Sequence, residues 1–194
     1  MRVLRLGLLA AVLVVLLSCG AGAGTSGPGG MPPGDSGAVA SDVAADGRVA
    51  LVYAAVIRHH LTTALAATVP QVVYVLDRAV PDAADAMRPL DDERGVAIED
   101  RVQQQVAAEL AGPVAIRFVA STQAVLTVDQ GCSTITEHVV VLILAPVPTS
   151  GDRVELGLAE LSNACLSGRW QTYVLVRTDA GWSVEGTTGP LVIS

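Results

Sequence analysis

Lysine is missing from this chain: all 12 basic residues are arginine. Aromatic residues are scarce at 3%, and there are only three histidines and three cysteines. An acidic, lysine-free chain of net charge −7 is poorly suited to a phosphate backbone, whose binding relies on clustered cations that release counterions. Nucleic acid is therefore excluded as an expected partner. With so few aromatics, a core must be built from branched aliphatics, with Tyr53, Tyr74, Phe118, Trp170, Tyr173 and Trp182 as its only large rings. The combination of abundant Ala, Val, Gly and Arg with no Lys has the look of a GC-rich genome.

Also absent are the motifs that announce common chemistries. There is no Gly-x-Ser-x-Gly elbow, no Walker-type loop and no dinucleotide fingerprint, so no cofactor is implied. His59 and His60 are consecutive, about 100° apart on a helix, and cannot face one ion as an i, i+4 pair does. His138 has no Cys or carboxylate at ligand spacing. All three read as surface or rim histidines, and no metal site is expected. Asp91-Asp92-Glu93 lacks the spaced ligands of a calcium loop and reads instead as a helix start. Glu155 and Glu160 fall on opposite faces of a regular strand, so they do not make an acid/base pair. No catalytic residue is assigned.

What is present begins at the N-terminus. Arg2 and Arg5 precede the uncharged run Leu6–Leu17, which at about 1.5 Å per residue is too short to span roughly 30 Å of hydrocarbon. The run suits the apolar core of an export signal. It ends in Leu16-Leu17-Ser18-Cys19, which resembles the lipobox of bacterial lipoprotein precursors. That resemblance implies diacylglycerol on the Cys19 thiol and cleavage after Ser18, with removal of residues 1–18 as the signal peptide. Loss of Arg2 and Arg5 then takes the net charge from −7 to −9. Two acyl chains meet the requirement that stable anchoring needs more than one.

Gly20–Gly37 reads GAGAGTSGPGGMPPGDSG, too poor in apolar surface to offset its ordering entropy. Residues 19–45 are accordingly expected to be a disordered tether, with the coil from Gly20 to Gly37 reaching roughly 25–30 Å. With Cys19 assigned to lipid, Cys132 and Cys165 remain as an even pair. In an oxidising compartment they either form one disulfide, worth about 3–4 kcal/mol in the chain-entropy picture, or pack as two separate buried thiols. Cys165 has only Arg169 nearby to lower its pKa, so a structural role is preferred over a reactive one.

Residues 46–194 read as a single α+β domain, with two N-terminal helices packed on a mainly antiparallel, curved sheet. In the first helix, expected over 46–67, Val49, Tyr53, Ile57, Leu61 and Leu65 recur every four residues, flanked by Val52 and Val56. Asp91 or Asp92 is expected to cap a second helix carrying Ile98, Val102, Val106 and Leu110, which Gly112-Pro113 stops. Strands are expected at 71–77, 114–119, 124–128, 137–147, 153–161, 169–177 and 182–187, with Gly181 supplying the left-handed residue of a bulged hairpin turn. At fold level this is similar to cone-shaped domains of the nuclear transport factor 2-like class, in which helices and a curved sheet enclose a pocket.

The stretch from Gly168 through Trp170, Tyr173-Val174-Leu175, Gly181-Trp182-Ser183-Val184 and Gly186-Thr187-Thr188-Gly189-Pro190 resembles the C-terminal end of a group of exported, functionally uncharacterised proteins of GC-rich bacteria. The resemblance covers the last third of the chain and, more loosely, the regions around Tyr53 and Val73–Arg78. It implies a fold and an extracytoplasmic location. Two functions fit: a non-catalytic, lipid-anchored envelope domain that binds a protein, glycan or lipid, or a pocket protein that holds a small apolar ligand or an unrecognised hydrolase site.

Overall fold

The computed structural model describes residues 36–66, 70–88, 94–129, 132–135, 138–162 and 167–194. Cys19, Cys165, Asp91 and Asp92 lie outside these residues. Cys132 falls in a described strand, but its side chain does not belong to the described part.

Among the described residues the fold is α+β: two helices, an open six-stranded sheet and two separate two-stranded pairs. Helix α1 runs Ser36–Thr63, so it starts within the stretch expected to be tether. The reason is local, since half of Ala38–Ala45 is alanine, the residue with the highest helix propensity, and no Gly or Pro interrupts it. The expected apolar stripe faces inward, with Val52, Tyr53, Val56, Ile57 and Leu65 buried and Val49 and Leu61 packed at its margin. Ala50, Ala54 and Ala55 are buried as well, so the helix is covered over more than one face.

After α1 the chain forms β1 (Val72–Leu76), the short pair β2 (Arg78–Ala79) and β3 (Val96–Ala97), and then α2 (Asp100–Glu109). The N-cap of α2 is Glu99, which makes no side-chain capping bond, so the helix begins well after Asp91 and Asp92. The intervening Val96-Ala97 is drawn into strand pairing with β2, and this sets the later start. Val102 and Val106 are the buried face of α2, with Ile98 buried just before it.

Strand β4 (Ala115–Val119) follows, then a 3-10 turn at Thr122–Ala124, the hairpin β5 (Thr127–Asp129) and β6 (Cys132–Thr134), and the meander β7 (Val139–Leu144), β8 (Arg153–Ser162), β9 (Ser167–Thr178) and β10 (Gly181–Ile193). Sheet order is β10-β9-β8-β7-β1-β4. The meander is antiparallel as expected, but β1 lies between β4 and β7 and is parallel to both. A parallel neighbour needs a crossover, and α2 provides it between β1 and β4.

Gly181, with φ of 118°, turns the β9–β10 hairpin as its sequence position required. On β8, Val154, Leu156, Leu158 and Glu160 share the face toward α1. The opposite face is not simply solvated, because Ala159 and Leu161 are also buried. Gly157 faces Ala84 there, and a Cβ at that position would sit 3.1 Å from the alanine methyl.

Candidate functional site

The most concentrated polar chemistry in the described residues lies under the end of α1. His60 sits one turn after Val56 and two after Val52, so the row that buries those valines carries the imidazole inward too. The ring is fully buried, which corrects the expectation of a surface or rim histidine. Tertiary packing overrides the usual preference here because the sheet offers a partner to each ring nitrogen. Nε2 lies 2.8 Å from Glu160 Oε2, and Nδ1 lies 2.7 Å from the Tyr173 hydroxyl. Glu160 on β8 and Tyr173 on β9 reach the same face of the sheet through the antiparallel register Glu160↔Arg169 and Leu156↔Tyr173.

Arg169 extends the network, its Nε 3.7 Å from Glu160 Oε2. Burial pushes the Glu160 carboxyl up, but hydrogen bonds from His60 and Ser162 and the charges of His60 and Arg169 together hold it below the ordinary value. Tyr173 moves the other way, pushed up to about 12 chiefly by burial, so it stays a phenol at neutral pH. Next to the cluster, His59 packs edge-on against Tyr173 at 5.7 Å between ring centroids. Its pKa is lowered by partial burial and by the charge of His60.

These states fix the hydrogen-bond roles. A carboxylate at Glu160 can only accept, so Nε2 carries a proton and donates to it, while Nδ1 is hydrogen-bonded to the Tyr173 hydroxyl. Both ring nitrogens of His60 are used internally. The arrangement ties a helix to two strands and leaves no ring nitrogen free for a substrate. Glu155, on the outward face of β8, takes no part.

Other features lie at the surface. Midway along α1, the Arg48 guanidinium bonds the carbonyls of Pro148, Ser150 and Gly151 and stacks 5.1 Å from the Trp182 ring centroid. At the C-terminal end of the helix, Leu61, Thr62 and Ala66 join Leu110, Pro113, Val114 and Ile116 to line an apolar groove of about 460 Å³. Arg58 crosses its rim to donate to the Glu109 carbonyl at 2.6 Å. His138 is exposed at the head of β7 with φ of 63°, an uncommon left-handed conformation outside glycine.

Among the described residues, no group of three His, Cys, Asp or Glu side chains converges as a metal site, and no helix is long and apolar enough to cross a membrane. Glu160 and Tyr173 were missed as site residues, although parity offered a signal: Glu160 continues the Val154-Leu156-Leu158 inward series, and Tyr173 shares a face with buried Gln171 and Leu175. No protein-family model, no curated protein and no solved structure matches the chain.

Proposed function

We propose that this chain is a bacterial lipoprotein, anchored through diacylglycerol on Cys19, whose α+β domain binds a partner at the membrane surface and performs no catalysis. The observation that carries the binding half is the fate of His60, the best-placed acid/base group. It is fully buried, with both nitrogens committed to Glu160 and Tyr173. The anchoring half is supported by the sequence Leu16-Leu17-Ser18-Cys19 after an apolar run.

An alternative, in which the sheet and helices form a cone-shaped ligand-binding domain of the nuclear transport factor 2-like kind, has one specific support: the apolar groove between α1 and Pro113–Ile116. That groove is open at the surface and the buried polar cluster does not line it, which favours a binding face over an enclosed pocket.

Fractionation of cells producing wild type and Cys19→Ala tests the anchor. Wild type is expected in the membrane fraction and the variant as an unprocessed or released chain. Retention and normal processing of Cys19→Ala overturn the reading. Cross-linking in native envelopes tests binding, with a defined adduct expected for wild type and none if the domain has no partner. Alkylation without reductant addresses Cys132 and Cys165; labelling of both thiols discards a disulfide between them.

A further inference from the structure

The two edges of the six-stranded sheet are built differently. Strand β10 has register shifts between Val184 and Gly186 and between Thr188 and Val192, a left-handed Gly189, and Pro190, which has no N–H. Bulges, glycine and proline are the usual means by which an edge is protected from pairing with another chain. Strand β4 has none of these: Ala-Ile-Arg-Phe-Val is regular, rich in β-formers, and lies at the opposite end of the sheet order.

The parallel register shows which backbone groups β4 leaves open. Ala115 N–H donates to the Gln71 carbonyl, and the Val119 carbonyl accepts from Asp77 N–H, so Ala115, Arg117 and Val119 turn their backbone groups toward β1. Ile116 and Phe118 must then turn theirs outward. Their half-buried side chains lie on the helix-covered face, where Ile116 and Val114 already line the apolar groove with Leu61 and Leu110. On the other face the Arg117 side chain is exposed, and among the described residues it makes no ion pair or hydrogen bond.

The geometry points to β4 as a docking edge for an extended protein segment that alternates apolar and acidic side chains. The segment would take the outward N–H and C=O groups of Ile116 and Phe118, lay its apolar side chains along Ile116, Phe118 and the groove, and set a carboxylate beside Arg117. A second copy of this chain fits poorly. The antiparallel self-pairing that joins Ile116 to Phe118 places Arg117 opposite its own equivalent, and like charges so placed repel. This inference rests on the binding reading above and gives it a surface and a partner chemistry.

The test is residue-resolved amide exchange on the full-length chain, with an acetylated, amidated Val-Glu-Val-Glu-Val-Glu-Val peptide as probe. Exchange at Ile116 and Phe118 is expected to slow severalfold with peptide, while that at Arg117, already bonded to β1, stays unchanged. Arg117→Glu should weaken the acidic peptide about three- to tenfold and strengthen its Val-Lys counterpart. Unchanged exchange at Ile116 and Phe118 with millimolar peptide overturns the proposal, as does protection already present without peptide. If that protection grows with protein concentration, the occupant is a second copy. If it does not, the edge is covered within the chain. A native-envelope cross-link that persists in Arg117→Glu and at unchanged yield would sink the edge assignment while leaving the binding reading intact.

Discussion

Helix α1 is held at two levels by ties of opposite character. Near its middle, Arg48 reaches across an exposed surface to three loop carbonyls and the Trp182 ring. At its end, His60 is fully buried and makes two hydrogen bonds, to Glu160 and Tyr173. The exposed tie has more bonds, but water replaces each of them when the side chain is removed. The buried tie has fewer, yet removing His60 takes from a buried carboxylate its nearest partner, leaving Ser162 and the more distant Arg169, and strips the phenol of its bond to Nδ1. Energy therefore follows burial and satisfaction, not the count of contacts.

That contrast predicts a ranking in urea denaturation. His60→Ala should cost the most, about 3–5 kcal/mol, because it strands the buried Glu160 charge and opens a cavity. Tyr173→Phe removes only the hydroxyl and leaves Nδ1 unpartnered, for about 1–3 kcal/mol. Arg48→Ala should cost about 1 kcal/mol, the scale of exposed charge-assisted bonds and a cation–π contact. Asp46→Ala, which breaks the ion pair to Arg101 between α1 and α2, should cost under about 1 kcal/mol. If Arg48→Ala proved as damaging as His60→Ala, the distinction between the two ties would be lost.

The buried tie also has a pH signature that the exposed one lacks. The folded-state pKa of Glu160 is depressed, so its contribution is present above the ordinary carboxyl value of 4.5 and is lost as pH falls through the lower folded value. Stability against pH should therefore fall on the acid side. Glu160→Gln should flatten that fall, whereas Arg48→Ala should leave its shape unchanged. An acid limb identical in Glu160→Gln and wild type would remove Glu160 from its assigned place.

The exposed and buried ties were also unequally legible in the sequence. The four-residue spacing from Val49 to Leu65 placed α1 on the core, and the period-two pattern of β8 and β9 marked their inward faces, because both signals are local. His60 and Glu160 are one hundred positions apart, and nothing local in a single sequence says that a helix end will meet two particular strand positions. His60 has no residue at metal-ligand spacing, which is why it reads as a rim histidine, although it follows Val52 and Val56 at four-residue intervals. Strand β1 was visible in Val72–Leu76, but its place between β4 and β7 depends on a crossover that residue patterning does not encode. The start of α2 was displaced because Val96-Ala97 pairs with Arg78-Ala79, a contact across a long connection. The β4 edge was legible only as a strand; its openness is a property of sheet order.

The N-terminal reading depends on one thiol, and intact mass of the native protein from the membrane fraction tests it most directly. A mature chain that begins at Cys19 and carries the mass of diacylglycerol on that residue is the expected result. A chain that begins elsewhere, or that begins at Cys19 with its thiol unmodified, contradicts the lipid anchor.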